Sequence, residues 1–304
     1  EFVLAVDPNY PGAEATRLLL DQQVELLRKS GRPSEPDRQG TDNNEPRMIG
    51  EGPRPPVRPG AFPLLNEHQV NLMRVYEIDL ADPGRVLIPR AVVEDLLDRY
   101  RGQPGVPLSR EGRNALFNAR PADILALMFS LQARELYGQV QVLEHPKAIQ
   151  TFTNDVHRTW LQNSCATNRC HGGAEAGRFR LANRRPNATE TIYTNLLILD
   201  RFLVRNDQHP DGIPLIDYER PERSPLLQMG LPLDVSLFPH PPLSGRDARR
   251  FKSVFRSMDD RRFQQALSWI RGMHQPRPDY PIEYEPPAPP GGVPTDLRFA
   301  PVER

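Results

Sequence analysis

Apolar positions first recur with helical spacing over residues 13–30, where Leu18, Leu19, Val24 and Leu27 lie on or near one face; Gly31 and Pro33 end the pattern. Such a helix docks on its own domain or serves a partner. Residues 31–62 are mostly Pro, Arg, Gly, Asp, Asn and Glu, which predicts a linker or an extended wrapping segment. Order returns at Pro63-Leu64-Leu65. The segments VYEIDL (75–80) and RVLIP (85–89) flank Ala-Asp-Pro-Gly and predict a small hairpin. Helical spacing follows over 90–101, with Val92, Val93, Leu96 and Leu97, and over 121–137, with Ile124, Leu125, Leu127, Met128, Leu131 and Leu136. QVQVL (139–143) predicts a brief strand.

From about residue 146 to 163, Ile149, Phe152, Val156 and Trp160 step by three, four and four, which is one face of a helix. Pro146 suits its first turn. The helix runs straight into NSCATNRCHGG (163–173), where Gly172-Gly173 ends regular structure. GRFRLAN (177–183) predicts a strand, and 189–204 a strongly apolar helix with Thr189 as N-cap. Prolines punctuate 210–243. Helical spacing returns over 246–257 and 260–272, with Phe251, Val254, Phe255, Phe263, Leu267 and Ile270 inward and Asp259 capping between them. The tail 275–304 is Pro-rich and is expected to wrap or fray. The pattern describes a mainly α chain with a few short strands, an α+β fold, without an internal repeat.

Composition narrows the function classes. The 304 residues carry 39 basic and 39 acidic side chains, so no global field favours nucleic acid or an anionic membrane. All the basic residues except Lys29, Lys147 and Lys252 are arginines. The 34 prolines require long irregular segments. No apolar run approaches the roughly 20 residues of a transmembrane helix. No Walker loop, G-x-G-x-x-G or H-E-x-x-H occurs. The chain opens EFVLAV, without Met, a charged n-region or a long h-region, which reads as a mature form with any signal or anchor removed.

The two cysteines of the chain, Cys165 and Cys170, are separated by four residues, and His171 follows directly. The pattern C-x-x-C-H marks covalent c-type haem attachment. Two thiols add to the haem vinyl groups as thioethers, and the next histidine reaches the iron from the same edge. The vinyl positions are fixed on the porphyrin, so extra residues between the cysteines can bulge outward without moving the sulfurs. Three rivals remain at this point. A zinc site could use Cys165, Cys170 and histidines but needs a further ligand. A local disulfide leaves His171 unexplained. Two buried free thiols are the last.

NSCATNRCHGG resembles the C-x4-C-H motif of large monohaem c-type cytochromes of planctomycete bacteria. Similar stretches lie upstream, in NLMRVYEIDL (71–80), LMFSLQARELYG (127–138) and VHRTWLQNSC (156–165), and downstream in SPLL (224–227), FPHPP (238–242) and Trp269-Ile270. The resemblance covers about residues 66–272. It departs at Pro241 and Pro242, where the family's downstream histidine is often followed by glycines. It implies a cytochrome c-like helical core at 146–274, with an accessory α+β segment at 63–145, the linker at 31–62, the N-terminal helix at 1–30 and the tail at 275–304 as additions. It further implies one covalent haem c, electron transfer with redox partner proteins, and the periplasm, because c-type maturation occurs outside the cytoplasmic membrane.

His171 is the expected proximal ligand, its other ring nitrogen donating to a backbone carbonyl. The opposite position decides between an electron carrier and a five-coordinate protein for small ligands or peroxide. His240 is the first candidate, since a Pro-stiffened loop after Leu237-Phe238 can present it on the far haem face. Met229, in the apolar LLQMGLP, is the second. His157 is tied to the proximal side and reads as a surface or hydrogen-bonding residue, and His145 as a helix-start residue. His68 and His209 sit in polar turns, and His274 closes the last helix. Phe152, Trp160, Leu196, Leu197, Phe251 and Phe255 could wall the haem, and Arg169, Arg178, Arg180 or Arg184 could meet propionates.

Overall fold

The computed structural model describes residues 62–173, 176–206, 209–242 and 251–287. The expected helix at 13–30, the linker up to residue 61, positions 246–250 and the tail beyond 287 lie outside the described residues. Pro53–Arg101 with Val106–Arg304 form one compact unit; of the other unit, Glu1–Gly52 with Gly102–Gly105, only the last four residues are described. The described fold is mostly helical with four short strands.

Asn66 opens helix α1 (Glu67–Tyr76) with a reciprocal cap: its side chain accepts from Gln69 N at 2.8 Å, and Gln69 Oε1 accepts from Asn66 N at 3.0 Å. That cap corrects the expected hairpin. Val75 and Tyr76 finish a helix, and β1 (Val86–Leu87) pairs antiparallel with β2 (Gln141–Val142) instead. Helix α2 (Arg90–Arg99) buries Val92, Val93, Leu96 and Leu97, as the spacing predicts. Helix α3 (Arg110–Phe117), which the pattern missed, starts at Ser109, whose hydroxyl accepts from Gly112 N at 3.1 Å. The single helix expected at 121–137 is two, α4 (Pro121–Ser130) and α5 (Arg134–Tyr137). The chain turns at Gln132, whose φ is 51°, in the left-handed region that ends helices.

Helix α6 (Lys147–Thr151) continues without a break into a π-helical stretch, Phe152–Cys165. Ile149, Phe152, Val156 and Trp160 are all buried, as expected. The wider winding adds Thr153, His157 and Leu161 to the buried side. GRFRLAN forms no strand. Helix α7 (Thr189–Arg201) buries every residue from Thr191 to Leu199; Ala188, not Thr189, is its N-cap. A hairpin follows unannounced, β3 (Leu203–Asn206) antiparallel to β4 (His209–Pro214). Helix α8 (Pro225–Gln228) is one turn. Residues 251–257 are not helical, so the second-last expected helix fails over its described part. Helix α9 (Arg261–Arg271) is capped by Asp260, one residue after the expected Asp259, and its Trp269 packs on Phe152 with ring centroids 4.9 Å apart. Residues 275–287 lie outside helix and strand and bury Tyr280, Ile282 and Tyr284. No described helix is long and apolar enough to cross a membrane.

Candidate functional site

The π-helical stretch ends at Cys165, where Ala166 N donates to Leu161 O at 2.8 Å. Beyond it the chain coils on itself. His171 N donates to Cys165 O at 2.8 Å, Cys170 N to Thr167 O at 2.9 Å, Gly172 N to Thr167 O at 3.0 Å, and Gly173 N to Cys170 O at 3.2 Å. The loop thereby closes the spacing between the two cysteines and draws His171 back to the helix end. Both thiols are unpaired and half-buried, so no disulfide joins them. Burial, then the neighbouring Cys170, pushes the Cys165 thiol up to about 12, which keeps it protonated at neutral pH.

His171 is held by the segment that follows. Its Nδ1 lies 3.0 Å from Phe179 O, its carbonyl accepts from Leu181 N at 2.7 Å, and its ring meets Phe179 edge-on at 4.6 Å. Desolvation pulls its pKa down to about 4 against the opposing pull of the Phe179 and Ala176 backbone, so the imidazole is neutral near pH 7. The neutral ring has one N–H, and its Nδ1 faces the Phe179 carbonyl as a donor would.

The fold brings His240 to this ring. The two imidazole centroids are 5.9 Å apart with planes at 51°. His240 stacks on Phe251 at 4.9 Å, and its Nδ1 lies 2.7 Å from Pro241 O. Both histidines therefore direct Nδ1 to a backbone carbonyl, the arrangement that fixes tautomer and orientation in metal-ligating imidazoles. Two metal–nitrogen bonds of about 2 Å, with ~1 Å more on each side from nitrogen to ring centre, span roughly 6 Å. Two free thiols and two carbonyl-anchored imidazoles are the donor types that a covalently held haem would take.

The other candidates are placed elsewhere. Met229 is half-buried at the C-cap of α8. His145 is half-buried, its Nδ1 3.0 Å from the Tyr193 hydroxyl. His68 and His274 are exposed, and His209 stacks near Phe238 at the start of β4. His157 is fully buried, correcting the surface alternative, and keeps the hydrogen-bonding one: Gln162 and Asn195 reach its Nε2. Of the proposed wall, Phe152, Trp160, Leu196, Leu197 and Phe255 are buried in the core, while Phe251 is half-buried against His240. Arg169, Arg178 and Arg184 are exposed.

Sequence reasoning missed Phe179, Gln162, Asn183 and Asn195. Asn183 Nδ2 donates to Asn168 Oδ1 at 2.7 Å, tying the motif loop to the segment behind it. Asn195 alone carried a visible signal, an amide in the middle of an apolar helix. Among the described residues no three His, Cys, Asp or Glu side chains are grouped to hold a metal ion. Two surface clefts, one lined by Arg256, Asp259 and Arg262 and one by Asp82, Glu144 and His145, include no residue of the motif. No family model matches the chain, and neither a curated protein nor a solved structure matches it.

Proposed function

We propose that this chain is a monohaem c-type cytochrome that carries electrons to redox partner proteins in the bacterial periplasm. Cys165 and Cys170 hold haem c by thioethers, His171 is the proximal ligand and His240 the distal one. The observation that carries this reading is the approach of His240 to the histidine of the C-x4-C-H motif, at 5.9 Å, from far along the chain. The haem supplies reversible one-electron chemistry at its iron. The protein's share is placement: the Phe179 carbonyl orients His171, and Phe251 with the Pro241 carbonyl holds His240. Two imidazoles give a lower potential than His/Met ligation, because a thioether raises it.

The test is maturation of the full chain in a bacterium equipped to attach haem c. The expected product has the mass of the polypeptide plus one haem, a thioether-type haemochrome in pyridine, a low-spin spectrum and, once reduced, no reaction with carbon monoxide. Rapid carbon monoxide binding to the reduced protein would replace the carrier with the five-coordinate alternative. Colourless protein of bare polypeptide mass would overturn the haem reading and leave the zinc alternative.

A further inference from the structure

Behind the His171 loop, His157 is wholly enclosed, and its Nε2 receives two amide groups: Gln162 Nε2 at 3.0 Å and Asn195 Nδ2 at 3.2 Å. The same two amides donate to the Ala182 carbonyl, at 3.0 and 2.9 Å. Each NH2 group thus bridges one pair of acceptors, so Nε2 is the unprotonated nitrogen of His157 and Nδ1 carries the hydrogen. That Nδ1 has no hydrogen-bond partner. Asn195 completes the clamp, its Oδ1 accepting from Ala182 N at 2.8 Å. The clamped residue adjoins Leu181, whose N–H holds the His171 carbonyl, and Phe179, whose carbonyl faces His171 Nδ1, lies just before it.

We infer that His157, acting with Gln162 and Asn195, is a positioning residue for His171: it fixes Ala182, and through Ala182 the two backbone groups that set the height and rotation of the His171 ring. A core that needed only volume at position 157 would be served by an aliphatic side chain. A histidine there is the common acceptor for two amides that are themselves holding the backbone behind the ligand. The consequence at an iron rests on the haem reading above; the mechanical claim does not.

The holoprotein with His157→Leu, His157→Gln and Gln162→Leu tests it. Removing the acceptor in His157→Leu loosens 179–182 and weakens the bond to His171 Nδ1. A less basic ligand favours reduced iron, so the reduced-to-oxidised ratio at fixed potential should rise about tenfold, roughly 59 mV for a one-electron couple. Glutamine offers a carbonyl to the same amides, so His157→Gln should return the potential to the parent value. Gln162→Leu should move it the same way as His157→Leu but less. A lower melting temperature with an unmoved potential, or a His157→Gln potential displaced as far as that of His157→Leu, overturns the inference. Should His157→Leu not fold, Gln162→Leu decides alone by the same criterion. If no haem is attached, the function proposal fails by itself, and amide exchange in the metal-free chain decides instead. Selective loss of protection at Leu181 and His171 in Gln162→Leu supports the inference, and unchanged or uniformly lost protection overturns it.

Discussion

A methyl group at Gly172 would stand 2.1 Å from the Ala166 carbonyl oxygen, and one at Gly173 1.9 Å from that of Asn168. Both obstacles are backbone, so the loop itself must shift to admit a side chain. Gly172→Ala and Gly173→Ala should each lose about 1–3 kcal/mol in urea unfolding, the range for overpacking, and lower the haem-bearing fraction of the matured product. His157 contributes a pH dependence. Burial, then Arg158, pulls its pKa from 6.5 down to about 4. The unfolded chain therefore takes up a proton between pH 6.5 and 4 that the folded one refuses. From this group stability should fall by roughly 3 kcal/mol across that window and level off below it; His157→Gln should reduce the slope, the remainder belonging to His171, which burial pulls down to about 4 as well, and an unreduced slope would remove His157 from the account. At this scale the sequence was informative where the candidate chemistry is carried by side chains. Cys165, Cys170 and His171 fall within seven residues of one another, and His240 stands out by its apolar and proline neighbours. Phe179 and Ala182 act through backbone groups that every residue possesses, so their side chains gave no sign of the part they play.

Among the elements, the helix that delivers the motif was legible from Ile149, Phe152, Val156 and Trp160, but its π-winding was not. The steps of three, four and four also fit an ordinary α-helix, and only the burial of the adjoining Thr153, His157 and Leu161 betrays the wider turn. Trp160 is 1% exposed and meets Phe255 edge-on at 5.2 Å. Trp160→Ala should cost about 3–5 kcal/mol, the range for emptying a large aromatic site, with a lower urea midpoint as the readout; a loss under 1 kcal/mol would mean that the core collapses onto the gap. The misplaced hairpin has a physical cause. VYEIDL satisfies strand propensity by itself, yet Asn66 and Gln69 form a capping box just upstream and carry helix through Tyr76. Helix α3 escaped notice because it buries no residue fully, leaving its apolar pattern faint. The β3–β4 hairpin lay hidden where a long apolar run passes from helix into strand without a breaker.

Across the molecule, the segment 275–287 is fastened to the core by charge as well as by apolar contact. Arg277 pairs with Glu77 at 2.8 Å and with Asp200 at 3.2 Å. Tyr280 donates to Glu77, and Arg201 donates to the carbonyls of Tyr280 at 2.6 Å and Ile282 at 2.7 Å. The sequence suggested a wrapping tail but could not name its partners, since Glu77 and Arg277 lie 200 residues apart. Glu77 is 1% exposed, so its charge depends on the guanidinium for compensation. Arg277→Met keeps much of the side-chain volume and removes that compensation. It should lower stability by about 3–5 kcal/mol at neutral pH, the cost of stranding a buried charge. A second variant separates this cause from lost packing. If a stranded carboxylate is responsible, adding Glu77→Gln to Arg277→Met removes the uncompensated charge and recovers part of the loss. If lost contact is responsible, the double variant is no more stable than Arg277→Met. Urea unfolding of the parent and both variants at neutral pH distinguishes the two, and a double variant without recovery would remove the Glu77 charge from the account of how the tail is held.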